Sequence, residues 1–411
     1  MFDVIVIGGG ASGLVSSIMA SRNGVSVCVL ERNKGCGKKI LVTGNGRCNY
    51  YNSDQNIRHY HSRNDNLLGK IINDNNNELV KNFFKSIGVI PRIKNGYYYP
   101  YSNQAVSVLN ALLTEAKLNG VSITNNVFVL EIVKDNDRFI IKSNNGNHYA
   151  KKVIIATGSY SFYKNMDINS YDIAKSLGHE IIKPLPALVQ LVIEDKICKS
   201  WAGVRSDALI KLYQDGKFIR EESGEVMLTS YGISGICAMQ LSGFIARGID
   251  NNRKEELVIN FVPGIAKDFA SFINFLDDYS KELNNKNISY ILDNILNYKL
   301  GNAILSKIKI DGNRNYNNLS YDLKYLLAKN IVEFRVKISK TNSYEDSQVC
   351  SGGVSIMDIN LESMESKKVK NLYFAGEILD VDGDCGGYNL TFAWISGILA
   401  GVNSSKEYLN D

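Results

Sequence analysis

From Val4 to Ile7 the chain is apolar without a break, as a parallel strand buried on both faces would be. The run stops at Gly8-Gly9-Gly10-Ala11-Ser12-Gly13, and apolar positions then recur with helical period through Ile18, Met19 and Ala20. Gly24 stands where a helix C-cap belongs, and Val25–Leu30 reads as a second strand that ends on Glu31. Further on, Ala105–Leu118 has helical spacing, while Val121–Ile132 and Arg138–Lys142 read as strands of a small meander. Lys151–Gly158 is a buried strand running into a small-residue turn. The tyrosines of Asn95–Tyr101 read first as edge-strand packing and second as a substrate wall.

The pattern changes after about Val189. Asp207–Tyr213 and Lys217–Glu221 alternate around Gln214-Asp215-Gly216, a hairpin signal. Further strands are expected at Glu225–Thr229 and Leu257–Val262, with a helix near Ile236–Ile245 and helical spacing from Ala266 to Asn330. Asn371–Ala375 returns to the character of a buried strand, and Leu390–Ala400 is an apolar helix. The fold class is therefore α/β. A discontinuous Rossmann-like domain over residues 1–188 and 338–411 is interrupted at 189–337 by a mixed β and helical insert, expected to be a substrate lid.

Gly8, Gly10 and Gly13 match GxGxxG, a weak signal by itself. Here it follows a strand, opens a helix and is followed 18 residues after Gly13 by Glu31 at a strand end. That is the full context of a dinucleotide fingerprint. Gly8 permits the turn, Gly10 lets the backbone approach a pyrophosphate, and Gly13 lets helix and strand pack closely. The helix start at Ala11 and Ser12 offers free N–H groups to phosphate, and Glu31 accepts from ribose hydroxyls. Lys34–Asn49 is too rich in glycine and polar groups for a core element. Its Thr43, Gly44, Asn45, Gly46 and Asn49 suit a loop that wraps a planar polar ligand, with Arg47 as a forked donor.

Composition narrows the class. The 411 residues carry a formal charge of +5 with no basic block, so nucleic-acid binding is not indicated. Seven scattered cysteines without a CxxC argue against a zinc ribbon and a disulfide framework. With no signal-peptide pattern and no apolar run of about 18 residues, a cytoplasmic protein is expected. Asp380, Asp382 and Asp384 alternate as in a calcium loop, but Cys385 and Thr391 stand where the turn glycine and bidentate glutamate belong. No metal is expected. His59-Tyr60-His61 reads as a solvated loop, and His179 as a helix-exit residue.

With both ends in view, the chain resembles the two-dinucleotide-binding flavoproteins of the glutathione-reductase type. Within them it is similar to the BaiN-like, or aminoacetone-oxidase-family, FAD-binding enzymes. The carrying segments are GGGASG at 8–13, LER at 30–32, GKKILVTGNGRCN at 37–49, SGGV at 351–354 and AGEILDVDGDCGGYNLTFAW at 375–394. The resemblance implies non-covalent FAD, with its diphosphate on Gly8–Gly13 and its ribose at Glu31 beside Arg32. It places the Val127–Val129 strand over the adenine and Ala156-Thr157-Gly158 beneath the cofactor. Lys38, Cys48, Gly376 and Glu377 join the binding set, and Asp384, Gly386, Gly387, Tyr388, Asn389 and Leu390 meet the isoalloxazine end. The chain departs from the family pattern at Asp167–Tyr171, and at Ser230 and Ile236, where relatives often carry His and Pro.

The expected function is an FAD-dependent oxidoreductase of a small organic substrate, with NAD(P)H as transient reductant. Asp384 and Tyr388 are the candidates for proton transfer. Cys48 and Cys385 read first as small packing residues and second as a thiol redox pair. Two other readings stay open: an oxygen-using oxidase of an amine, and an RNA-binding, tRNA-modifying flavoprotein. The last needs a basic face built from Lys211, Lys217, Arg220, Arg247 and Arg253.

Overall fold

The computed structural model describes residues 1–162, 170–283 and 286–406. The chain divides into two compact units, residues 1–184 with 349–411 and residues 185–348. Each has its own apolar core.

The first unit is built on a parallel sheet. Strand β1 (Phe2–Ile7) lies between β2 (Val27–Glu31) and the strand Gly146–Ile155, and helix α1 (Ala11–Ser21) joins β1 to β2. Val4, Ile5 and Val6 are wholly buried, as an uninterrupted apolar run requires. Among the described residues the sheet has seven strands, and Ser122–Asn125 forms one edge by pairing parallel with β2.

Gly146–Ile155 does double service. Its first half pairs antiparallel with Arg138–Ser143, and its end pairs parallel with both β1 and Leu372–Phe374. The C-terminal strand thereby enters the same sheet as the N-terminal one.

The expected strand Val121–Ile132 is two strands. Asn126 takes a left-handed φ of 59°, and the N–H groups of Asn126 and Val127 donate to the carbonyls of Asn33 and Glu31. These bonds draw the segment onto the end of β2 before the meander starts at Val129. Apolar periodicity ran through the break because Val127, which lies within it, is itself buried.

Helix α1 packs against the C-terminal helix Tyr388–Ser405 at very short range. A Cβ on Gly397 would lie 2.7 Å from the Ser12 carbonyl oxygen, and one on Gly401 2.4 Å from that of Ser16. Only glycine permits that approach.

The second unit contains a closed barrel. Its strands, in order, are Leu191–Ile193, Gly232–Ser234, Lys217–Leu228, Arg205–Gln214, Glu255–Asn260 and Phe334–Thr341. The hairpin at Asp215-Gly216 has φ of 50° and 78°, the two positive values a tight two-residue loop needs. The segments Lys217–Glu221 and Glu225–Thr229, read separately in the sequence, are one strand of 12 residues with Gly224 inside it. Helices Phe269–Glu282, Ile288–Asp293, Tyr298–Ile308 and Tyr321–Val332 make up most of the remainder. Residue 337, the expected end of the insert, falls within the strand Phe334–Thr341, whose ladder holds it to the barrel.

In this unit Glu255 is 3% exposed, against Gly248. Burial pushes its carboxyl up to about 7, more than Gln214 and Arg253 pull it down. A raised folded value means that the stability is fully present below the ordinary carboxyl range. It is lost as pH rises through about 7. Glu255→Gln, of the same shape and uncharged, should therefore leave the melting temperature little changed at pH 5. At pH 8 it should raise unfolding stability by roughly 2–3 kcal/mol. Calorimetry at the two pH values checks it, and equal effects at both would remove the assignment.

Candidate functional site

The N-terminal part of the site is set by backbone contact. The Gly8 N–H donates to the Leu30 carbonyl at 2.9 Å. Gly8 has φ of 101°, and a Cβ there would lie 2.5 Å from the Ala156 carbonyl oxygen. A Cβ on Gly13 would lie 1.9 Å from the Gly8 oxygen. Gly10 differs: it caps α1, and a Cβ on it would meet nothing within 4 Å. No side chain caps this helix among the described residues. The first intrahelical bond runs from Leu14 N–H to Gly10, so the N–H groups of Ala11, Ser12 and Gly13 have no helical acceptor. Open space over free N–H groups and a positive helix end is what a diphosphate fits.

Glu31 is 5% exposed. One oxygen accepts from the Gly9 N–H at 2.7 Å, and the other accepts from the N–H and side-chain amide of Asn33 at 2.8 and 2.6 Å. Three of about four acceptor positions are filled, which leaves room for one sugar hydroxyl rather than two. Arg32 lays its guanidinium over the Phe128 ring at 5.5 Å. Val129 is buried where the meander starts. Ser12 turns its hydroxyl away from the open space and donates to the Ala375 carbonyl.

The loop after β2 is tied down by the Gly37 N–H on the Gly9 carbonyl, at 2.8 Å. Lys38 is exposed, and its neighbour Lys39 turns inward. The Lys39 ammonium meets Glu377 at 2.5 Å and Ser161 at 2.6 Å, and Glu377 also accepts from the Cys350 N–H. The expected cofactor set contained Lys38 and not Lys39.

Gly44, Asn45, Gly46 and Cys48 all have positive φ, which curls the loop on itself. The Thr43 carbonyl accepts from both Gly46 and Cys48 N–H groups, and the Thr43 hydroxyl donates to Ile40. Arg47 is exposed, donates to the Gly44 carbonyl and stacks over Tyr99 at 5.1 Å.

Asn49 Oδ1 and Thr157 Oγ1 are among the buried side-chain oxygens with no hydrogen-bond partner among the described residues. Such groups are costly to leave unmade. Asn49 lies against Gly387, where a Cβ would be 3.1 Å from that oxygen. Gly387 has φ of 97° and caps the C-terminal helix, and Gly386 has φ of 134°. Gly376 presses on the Ser12 hydroxyl. The Asn389 side chain clasps Gly383 at 2.8 and 2.7 Å, while Leu390 packs on the core. Ala156 is buried, and a Cβ on Gly158 would meet nothing within 4 Å.

The alternating acids at 380–384 serve different purposes. Asp380 accepts from the Arg63 N–H and the Ser62 hydroxyl. Asp382 and Gly383 pair with Tyr60 and His61 in a short antiparallel ladder. Asp384 is 4% exposed and receives both histidines, His59 Nδ1 and His61 Nε2, each at 2.9 Å. The loop read as solvated is therefore bonded to the C-terminal segment. Alternation was the available signal: His-x-His and Asp-x-Asp-x-Asp each place every second side chain on one face.

Tyr388 stacks on the His59 ring at 4.5 Å, and burial raises its phenol. Burial also raises Cys48, to about 12, and Cys385, the direction that makes a thiol a poorer nucleophile. His179 is buried, held by the Ala174 carbonyl and the Ser366 hydroxyl. Asp167, Ile168 and Asn169 lie outside the described residues. Ser230 and Ile236 are exposed in the second unit.

Residues 2–403 match the model of the HI0933-like protein Rossmann domain. The chain is 33% identical over 405 residues to a 3-dehydro-bile acid delta(4,6)-reductase of Clostridium scindens, covering 98% of each chain. It is 27% identical over 402 residues to a ribosomal RNA dihydrouridine synthase of Escherichia coli K12, covering 96% of each. Among solved structures, an open-conformation flavocytochrome c3 fumarate reductase aligns with a TM-score of 0.50 at 15% identity. The alignment covers 100% of this chain and 79% of that one, a likeness of fold alone.

Open space at Gly10 separates a ligand role from a folding role. Gly10→Ala should leave the melting temperature of the ligand-free protein within about 1 °C, because the new methyl meets no protein atom. Dinucleotide retention should fall at least about tenfold, a loss of about 1.4 kcal/mol. Gly13→Ala should instead destabilise the ligand-free protein. Retention after dialysis checks both, and full retention by Gly10→Ala would place the diphosphate elsewhere.

Proposed function

The chain belongs to the HI0933-like Rossmann-domain family and is an FAD-dependent oxidoreductase; from that premise, we propose that it saturates a carbon–carbon double bond conjugated to a carbonyl, with a nicotinamide as reductant. The observation that carries this reading is chemical. Relatives matched over nearly the whole chain are named for unlike substrates, a bile acid and a ribosomal RNA uridine. Both names denote reduction of an alkene polarised by a neighbouring carbonyl. Such a reduction adds a hydride at the β-carbon and a proton at the α-carbon.

Bound FAD would supply hydride transfer. The protein's own residues bind and orient. The first turn of α1 would hold the diphosphate through the N–H groups of Ala11, Ser12 and Gly13, and Glu31 one ribose hydroxyl. Asn49 Oδ1 and Thr157 Oγ1 are buried oxygens whose hydrogen bonds a cofactor would complete. The C-terminal helix starts at Tyr388 with no acid in its first turn, so its positive end favours negative charge near Gly386–Leu390.

A small substrate is preferred to RNA. Of the cations that would form a basic face, Lys211 lies 3.9 Å from Glu221, Arg220 lies 2.5 Å from Glu222, and Arg253 donates to Gln214. The ribosomal relatives are the reason to test RNA all the same. Salt-sensitive binding of ribosomal RNA would favour it over a free enone.

The chain carries a single strand–GxGxxG–helix–acid unit, and that unit is given to FAD. NADH or NADPH should therefore bleach the flavin band anaerobically without substrate, and a cyclic enone should restore it faster than oxygen does. Steady-state lines should be parallel in double-reciprocal plots. Reoxidation by oxygen alone, with no enone effect, would replace the reductase with the oxidase.

A further inference from the structure

His59 occupies an unusual place. Asp384, with its carboxylate 4% exposed, accepts from two imidazoles at once. A carboxylate only accepts, so His59 carries its hydrogen on Nδ1 and His61 on Nε2. The other nitrogen of His59 faces two groups of opposite demand. Asp54 Oδ2 lies 3.1 Å from Nε2, and Arg58 Nε lies 3.2 Å from it. The ring offers one in-plane position there. A neutral His59 accepts from Arg58. A cationic His59 donates to Asp54 and is then held between two carboxylates.

Both states are prepared by the same side chains, since Arg58 also holds Asp54 through Nη2 at 2.9 Å. The charged and titratable groups facing the ring are Asp54, Arg58, Asp384 with His61 behind it, and Tyr388 stacked on its face. Asp54 is half exposed, which gives a route for a proton from water. The ring nitrogens meet carboxylate oxygens rather than a common centre. Among the described residues no group of three or more His, Cys, Asp or Glu is arranged to hold a metal ion.

We propose that His59 is the proton-uptake residue of this site, gaining a proton on Nε2 when negative charge builds up at the Asp384–Leu390 segment. One N–H bond forms at Nε2 and one O–H bond of a solvent water breaks, with Asp54 passing the proton on and the hydroxide left to the bulk buffer. No electrons move in this step. The cation lies against Asp384 and Tyr388, and the positive helix end at Gly387 acts in the same direction. His59 is thus a positioning residue that acts through Asp384 and Tyr388. Its use in turnover rests on the proposed reduction, which consumes one proton for each hydride. The uptake itself does not rest on it.

The chain has four histidines, so long-range nitrogen–proton NMR of the holoprotein resolves each ring once His→Gln variants assign them. His59 should gain an Nε2 proton when the holoprotein is reduced by dithionite at pH 8, while His148 and His179 stay unchanged. A His59 ring whose protonation is the same before and after reduction overturns the proposal.

His59→Asn keeps a donor where Nδ1–H stood and cannot take a proton. Turnover of a cyclic enone by this variant should fall about tenfold or more at pH 8 and much less at pH 6, with KM unchanged. A drop equal at every pH, or loss of cofactor, would mark a purely structural role and also overturn the proposal. If no enone is turned over but dithionite still protonates His59, the reductase reading fails and the proton-uptake site stands.

Discussion

The contact on which the site depends is one of main chain against main chain. Helix α1 and the C-terminal helix approach until a methyl group at Gly397 or Gly401 would collide with carbonyl oxygens of the opposite helix. The Gly376 turn lies close against the Ser12 side chain, whose hydroxyl donates to the Ala375 carbonyl. Packing this close leaves no room for side chains and fixes the relative position of two helix N-termini. One starts at Ala11 and the other at Tyr388. Each is a positive end with N–H groups to offer, and both belong to the same rigid pair.

Around that pair the buried charges are arranged in closed sets. Glu31 is satisfied from Gly9 and Asn33, Glu377 from Lys39, Ser161 and Cys350, and Asp384 from two histidines. Each acid sits at the end of a strand or in a loop beside a helix start. Burial of such groups is tolerable only when they are hydrogen-bonded. Asn49 Oδ1 and Thr157 Oγ1, buried without a partner among the described residues, are positions where a ligand would complete the count.

Much of this was legible in the sequence, because periodicity and glycine placement report directly on backbone geometry. β1, α1 and β2 lie where the apolar runs and GGGASG put them, and Ala105–Leu118 is a helix over the expected residues. What the sequence hid depends on orientation. Whether Lys38 or Lys39 turns inward is a matter of loop dihedrals, and periodicity has nothing to say inside a loop. Arg47 stacks over Tyr99 with its Nε on the Gly44 carbonyl, an orientation that loop composition does not reveal. His59 and His61 looked solvated because their partner, Asp384, lies more than 300 residues away in the chain. The split of Val121–Ile132 had a local cue in Asn125-Asn126, a pair suited to a left-handed turn.

The discontinuity of the first unit has a consequence for how the protein is made. Leu372–Phe374 and Tyr388–Ser405 emerge from the ribosome after the whole of the second unit, yet the sheet and the helix pair wait for them. The second unit is one continuous stretch with its own core and can fold as it appears. Once folded, it holds the two ends of its stretch in place, so the strand at 372 searches from a tether far shorter than the intervening sequence. For a fully flexible chain each doubling of loop length would add about 0.6 kcal/mol to closure. An insert that folds early removes much of that entropic cost, which makes the interruption of the sheet a kinetic aid to its own completion.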